Sequence, residues 1–177
     1  MTTAAQKNVD IRQATVDDAQ EFVELLKLVD SESEFLLWEP GERDLTVDQQ
    51  RARLENSFNS ATTRTTVACD TTLGKLFGFC WCAAGERNRT RHELSLALAL
   101  LQDYHGHGIG TALLNTQIEW ARSQGFRRMS LSVSPSNSAA IHIYKKAGFI
   151  LEGTTRDSIK LGSRYEDSHI MGLILEN

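Results

Sequence analysis

The sequence predicts a mixed α/β fold: one sheet with helices on its faces, neither doubly wound nor closed into a barrel. Three observations carry this. Short runs with strand periodicity alternate along the chain with stretches of helical periodicity. The run Glu93–Leu101 is almost wholly apolar, as a strand in the centre of a sheet is. That strand then enters a helix through the glycine-rich turn His105-Gly106-His107-Gly108-Ile109-Gly110.

The elements follow in order. Val9–Arg12 alternates and reads as a first strand. Thr15 caps a helix whose apolar stripe is Ala19, Phe22, Val23, Leu25, Leu26 and Val29. Asp30–Leu45 mixes charges, aromatics and Pro40-Gly41, which breaks the helix. Thr46-Val47-Asp48-Gln49 is a capping box that opens a second helix to about Phe58. Thr65–Cys69 and Lys75–Ala83 read as strands joined by a turn at Thr71–Gly74, and Gly85–Thr90 is a polar loop. After the central strand and the glycine turn, a helix carrying Ile109, Leu113 and Ile118 runs to Gly125. Arg128–Val133 is a further strand, and Ser136 or Asn137 opens a short helix that Gly148 stops. Two last strands, Phe149–Ile159 and Tyr165–Leu175, pair through Leu161-Gly162-Ser163. With 177 residues the whole chain reads as one domain, residues 1–8 being a flexible tail.

The composition narrows the function. The apolar share of 41% and charged share of 24% are those of a soluble globular protein, and a net charge of −4 offers no basic field for nucleic acid. The polar start Met1–Asp10 is no signal peptide, and the longest apolar run, Leu94–Leu101, is too short to span a bilayer. Three cysteines make no disulfide framework. Cys80 and Cys82 flank Trp81 and read as core residues on one strand face, and no metal site is expected. A reducing, cytoplasmic setting follows.

A buried strand that ends in closely spaced glycines and opens a helix is a natural anion site. The first helical amides lack intrahelical partners and point outward at the positive end of the helix dipole. The same glycines also serve tight turns for steric reasons alone. A P-loop is excluded because Thr111 stands where its lysine belongs, and a dinucleotide fingerprint because the spacing is G-x-G-x-G, late in the chain.

Leu98–Leu114 resembles the acetyl-CoA-binding core of the GNAT superfamily of N-acetyltransferases. The family pattern Arg/Gln-x-x-Gly-x-Gly/Ala falls on His105, Gly108 and Gly110. A second block, Leu131-Ser132-Val133 followed by Asn137, Ala140, Ile141, Tyr144, Lys146, Gly148 and Phe149, matches in order and spacing. The resemblance implies a mostly antiparallel twisted sheet with splayed strands at the acyl-CoA site. It implies acetyl-CoA held by Leu98, Ala99 and Leu100, by His105, Gly106, His107, Gly108, Ile109, Gly110 and Thr111, and by Asn137. His105 departs from the family Arg/Gln; an imidazole, with an ordinary pKa near ~6.5, carries full charge only below that pH. Cofactor binding that weakens as pH rises is therefore expected.

The same resemblance makes Tyr144 the general acid toward the leaving sulfur, against the plainer reading of a residue packed on the sheet. The base is open between Glu93, at the start of the central strand, His92, and ordered water. The expected reaction is acetyl transfer to a primary amine of a small molecule or a protein N-terminus. The segment Ser31–Leu45 is expected to line the acceptor pocket, with Phe35, Leu37 and Trp38 as walls and Glu34, Glu39 and Glu42 for an ammonium. Tyr165-Glu166-Asp167 would close the opposite side. The loop arginines Arg87, Arg89 and Arg91 are read as solvated or as neighbours of the CoA 3′-phosphate. Terminal strands of this fold often pair across a homodimer, and the same is expected here. The alternative from another class is an acyl-CoA-binding sensor of the same fold without turnover.

Overall fold

The structure, a computed structural model, describes residues 8–176. The expected tail lies outside the described residues except for Asn8, whose carbonyl accepts hydrogen bonds from the backbone and side chain of Thr71. The elements are β1 (Val9–Gln13), α1 (Ala19–Glu32), α2 (Val47–Phe58), β2 (Thr63–Asp70), β3 (Lys75–Ala84), β4 (Glu93–Leu100), α3 (Ile109–Ser123), β5 (Arg128–Val133), α4 (Ser138–Lys146), β6 (Ile150–Leu161) and β7 (Arg164–Ile174). They form one sheet in the order β1-β2-β3-β4-β5-β7-β6. Every neighbouring pair is antiparallel except β4 and β5.

Helices cover both faces. The apolar stripe of α1 packs with Leu54 of α2 on Val67, Cys69, Phe79 and Ala99. On the other face, α3 buries Leu113, Leu114, Ile118 and Ala121 against Cys80, Cys82, Leu94, Leu96 and Met129, joined by Tyr144 of α4. Cys80 and Cys82 therefore share one face, as their spacing around Trp81 requires, and burial raises both thiol pKa values, that of Cys82 to about 12. The elements read from sequence are all present, with ends shifted by a residue or two. At Thr15 the chain first makes a 3-10 turn, Val16–Asp18, before α1 begins. There the Asp18 carboxylate accepts from the Thr15 amide at 2.7 Å and from both Arg12 Nη atoms at 2.7 Å, which ties the helix start to β1.

The parallel pair is short. Glu93 pairs with Arg128, Leu94 with Met129 and Ser95 with Ser130, and there the ladder ends. Beyond it β4 stays paired to β3 as far as Leu100, and β5 to β7 as far as Val133. The two strands diverge, each held by its outer neighbour, and a wedge opens in the middle of the sheet.

Candidate active site

The wedge has a closed and an open end. At the closed end the Arg128 guanidinium donates to Glu93 at 3.0 Å and to Glu152 at 2.7 Å, joining β5, β4 and β6. A Cβ at Gly172 of β7 would meet the Glu152 carboxylate that Arg128 holds. Glu93, a candidate base, is thus engaged at the closed end, about 17 Å along the strand from Leu98. His92 is at the same end, its carbonyl accepting from Arg127 at 2.9 Å. Neither side chain is brought to the open end.

At the open end the backbone edges of β4 from Leu96 to Leu100 and of β5 from Leu131 to Val133 face no strand partner across the gap. Past Leu100 the chain makes a 3-10 turn, Gln102–Tyr104, and the Tyr104 ring stacks on Phe77 with centroids 3.8 Å apart. The glycine turn follows. Gly106 (φ 76°) and Gly108 (φ 78°) are both left-handed, and a Cβ at either would meet nothing within 4 Å. Conformation, then, and not crowding, calls for glycine at these two positions. Gly110 differs: it is helical, with ordinary room beside Ile143 at 3.5 Å and Leu98 at 3.9 Å. Those two contacts show β4, α3 and α4 converging on the turn.

The first hydrogen bond of α3 runs from the Ala112 amide to the Gly108 carbonyl at 3.0 Å. The amides of Ile109, Gly110 and Thr111 precede it and have no acceptor within the helix. With the turn before them they make a row of donors that could hold an anion. His105 behaves differently from the expected phosphate donor. Its Nε2 donates to the Leu100 carbonyl at 2.8 Å, since a carbonyl can only accept, so the ring ties the turn back to the strand end. Sequence reasoning missed this because the partner is a backbone atom. Asn137 caps α4, accepting from the Ala140 amide at 3.1 Å. Tyr144 is buried on the sheet side of α4, its ring 5.8 Å from that of Phe149. Burial, and secondarily the nearby Cys80 thiol, raises its phenol pKa well above the ordinary value.

Arg87, Arg89 and Arg91 lie at the C-terminal end of α3, beside Arg127, and not beside the turn. Fifteen helical residues, about 22 Å, separate the two ends. The loop arginines are thus on the far side of the molecule from the turn.

A cavity of about 80 Å³ adjoins the open arm of β5, lined by Glu34, Phe35, Leu37, Ser132, Val133, Ser134, Ile159, Glu166 and Ser168. The expected acceptor segment thus contributes Glu34, Phe35 and Leu37, and Glu166 closes the opposite side. Trp38 and Glu39 instead line a neighbouring groove of about 420 Å³. The Trp38 face is covered by the Arg43 guanidinium at 4.9 Å, which is itself locked onto buried Asp30 at 2.7 Å. Glu42 folds back to accept from the Glu39 amide at 2.9 Å. The three serines of the cavity were missed from sequence, although for Ser132 and Ser134 the alternation Leu131-Ser132-Val133-Ser134 signals a polar strand face.

The model of the acetyltransferase (GNAT) family matches residues 25–149. An uncharacterized N-acetyltransferase from Mycobacterium bovis is 33% identical over 98 residues, which are 55% of this chain and 60% of that protein. The first curated relatives are matched over only 21% to 60% of their own length. A GNAT-family acetyltransferase from Streptococcus pneumoniae superposes with a TM-score of 0.90 at 31% identity, covering 96% of this chain and all of that one (100%). A putative acetyltransferase from Salmonella typhimurium, solved with acetyl-CoA, has the same fold, with a TM-score of 0.84, 20% identity and coverage of 96% and 95%.

Proposed function

The chain belongs to the acetyltransferase (GNAT) family, and on that premise we propose that it transfers the acetyl group of acetyl-CoA directly to a primary amine of a small molecule or a protein N-terminus. The observation that carries this reading is the β4–β5 ladder that stops at Ser95 and Ser130. It leaves an unpaired strand edge leading straight to an anion cradle.

The residues present fit the donor. The amides of Gly106 through Thr111 would hold the pyrophosphate, and the backbone of Leu98 would hold the pantetheine arm; Ala99, expected there from sequence, turns its backbone groups to Phe79 of β3, in step with the Leu101–Phe77 and Glu93–Gly85 bonds on either side. Leu100 would contribute through its amide, because its carbonyl is taken by His105. Asn137 supports the site by starting α4, the helix that presents Tyr144. Acetyl-CoA supplies a thioester whose C–S bond breaks as the C–N bond to the amine forms. The amine loses one proton and the departing sulfur gains one. Tyr144, whose raised pKa keeps it protonated until the sulfur departs, gives its proton to the leaving thiolate and regains one from the water that takes the amine proton. With Glu93 and His92 at the closed end, water entering the wedge is the remaining acceptor for the amine proton.

The same reading puts the enzyme in the cytoplasm, where its three free thiols persist. Among the described residues no helix is long and apolar enough to cross a membrane. It also expects a homodimer through the edge strand β6, where Ile150 and Leu151 stand exposed.

The deciding experiment is calorimetric binding of acetyl-CoA at two pH values, followed by thiol release with an amine panel. Tyr144→Phe is expected to keep acetyl-CoA binding and to lower kcat about a hundredfold, the lower end for loss of a general acid. Binding without thiol release in the wild type would leave a sensor in place of an enzyme, and absence of binding would remove both.

A further inference from the structure

Resting on the acetyl-transfer reading, we propose that the acceptor is a dication, a diamine or polyamine, whose non-reacting ammonium sits between Glu34 and Glu166 in the place now held by Arg164. The Arg164 Nη2 lies 3.8 Å from a Glu34 oxygen and 3.6 Å from a Glu166 oxygen. One cation thus stands between two carboxylates that come from opposite walls, the segment after α1 and strand β7. Both carboxylates line the cavity beside the open arm of β5.

The two carboxylates are unequally prepared. The other oxygen of Glu166 accepts from Ser134 Oγ at 3.0 Å, and that hydroxyl is itself placed by Ser136 at 2.7 Å. The end of the open β5 arm therefore aims Glu166. Glu34 is freer, with 81% of its side chain exposed. Both contacts to Arg164 are longer than a good charge-assisted hydrogen bond, and Arg164 itself is 63% exposed. Such a pairing is weak and is readily displaced by a cation that fits the cavity.

The chemistry selects a second amine. A carboxylate pair stabilises an ammonium and so raises its pKa, which is the wrong effect on a nucleophile that must be neutral to attack. The group held by Glu34 and Glu166 is therefore not the reacting amine, and the acceptor carries two. The neighbouring groove, which shares Glu34, adds Glu32 and Glu39 against Arg164 alone, since Asp30 is matched by Arg43. A longer polyamine can extend along it, whereas the carboxylate of an amino acid finds more negative than positive charge there.

The test compares kcat/KM for putrescine, butylamine and alanine in the wild type, Glu166→Gln, Glu34→Gln and Arg164→Gln. Putrescine binding to the CoA-saturated protein, measured by calorimetry, is an independent readout. Retained acetyl-CoA affinity certifies that each variant is folded. The wild type is expected to prefer putrescine over butylamine about tenfold, and Glu166→Gln to remove most of that ratio. Glu34→Gln, more exposed, should reduce it about threefold, and Arg164→Gln should raise putrescine affinity by a similar factor. A wild-type ratio near unity, a preference for alanine, or weaker putrescine binding in Arg164→Gln overturns the proposal. If acetyl-CoA binds and thiol is released without a diamine preference, only the proposal falls. If acetyl-CoA does not bind at all, the transfer reading falls with it.

Discussion

The two ends of the β4–β5 wedge are built from the same two strands and behave in opposite ways. At the closed end three rungs of parallel pairing and the Glu93–Arg128–Glu152 ion triad hold three strands in register. At the open end the same strands turn their edges away from each other, toward a glycine cradle on one side and a serine-lined cavity on the other. Opening a sheet exposes unsatisfied backbone groups, which is costly unless something else binds them. The strands can afford the opening because each is fully paired to its outer neighbour and anchored where the wedge starts. Stability and chemistry are thus separated by a few residues along one strand.

Breaking the closed end should produce the largest effect on stability. Arg128→Ala strands two carboxylates that are each about one-third exposed. The loss lies between that of a surface pair and that of a buried one, about 2 kcal/mol. For a chain of this size that is a fall in Tm of about 4–8 °C, checked by thermal denaturation. If the two ends are as separate as their geometry says, kcat at a temperature where the variant stays folded should fall far less than in Tyr144→Phe.

Much of this arrangement was legible in the sequence. The apolar run beginning at Leu94 declared a central strand, the spacing of Gly106, Gly108 and Gly110 declared the turn into α3, and Thr46 and Gln49 declared the start of α2. Features that depend on pairing across the chain were not legible. The wedge is set by which residue of β5 faces which residue of β4, and nothing local in either strand states that register. For the same reason Glu93 reads as an available base in the sequence, whereas in the fold Arg128 stands opposite it. Trp38 reads as a substrate wall, whereas in the fold Arg43 covers its face. Arg164 carries no signal in the sequence, since a charged residue after a turn is ordinary and its meaning comes only from the two carboxylates around it.

A smaller effect is expected from the open end. Gly108→Ala forces a side chain into a left-handed backbone where space is free, so its cost is conformational, about 1–2 kcal/mol. Because Gly108 caps α3, the variant either retains the turn under strain or relaxes it and misaligns the amides that follow. Acetyl-CoA affinity should fall about tenfold, measured by calorimetry, with a smaller change in Tm than Arg128→Ala produces. Gly110→Ala is the control: it meets only ordinary contacts at 3.5 and 3.9 Å, and its affinity should stay closer to that of the wild type.

The smallest effect concerns the core behind the open half. Cys80 and Cys82 pair with Leu98 and Leu96, directly behind the part of β4 that borders the wedge. Burial holds both thiols neutral, with the Cys82 pKa raised to about 12, a hydrogen bond from the Arg64 backbone and then the Arg64 charge only partly opposing the shift. A raised folded-state value means that the contribution to stability is complete below the unfolded thiol pKa of about 8.5 and is lost as pH climbs from there toward about 12. Between about pH 8 and pH 9.5 urea denaturation should show a loss of about 1 kcal/mol from each of Cys80 and Cys82, and Cys82→Ala should remove about half of that slope. The ion triad at the closed end keeps its charges throughout this range, because the Arg128 pKa is raised, chiefly by its hydrogen bond to Glu152. A pH slope that survives undiminished in Cys82→Ala but disappears in Arg128→Ala would reverse the assignment and make the closed end the alkaline-sensitive one.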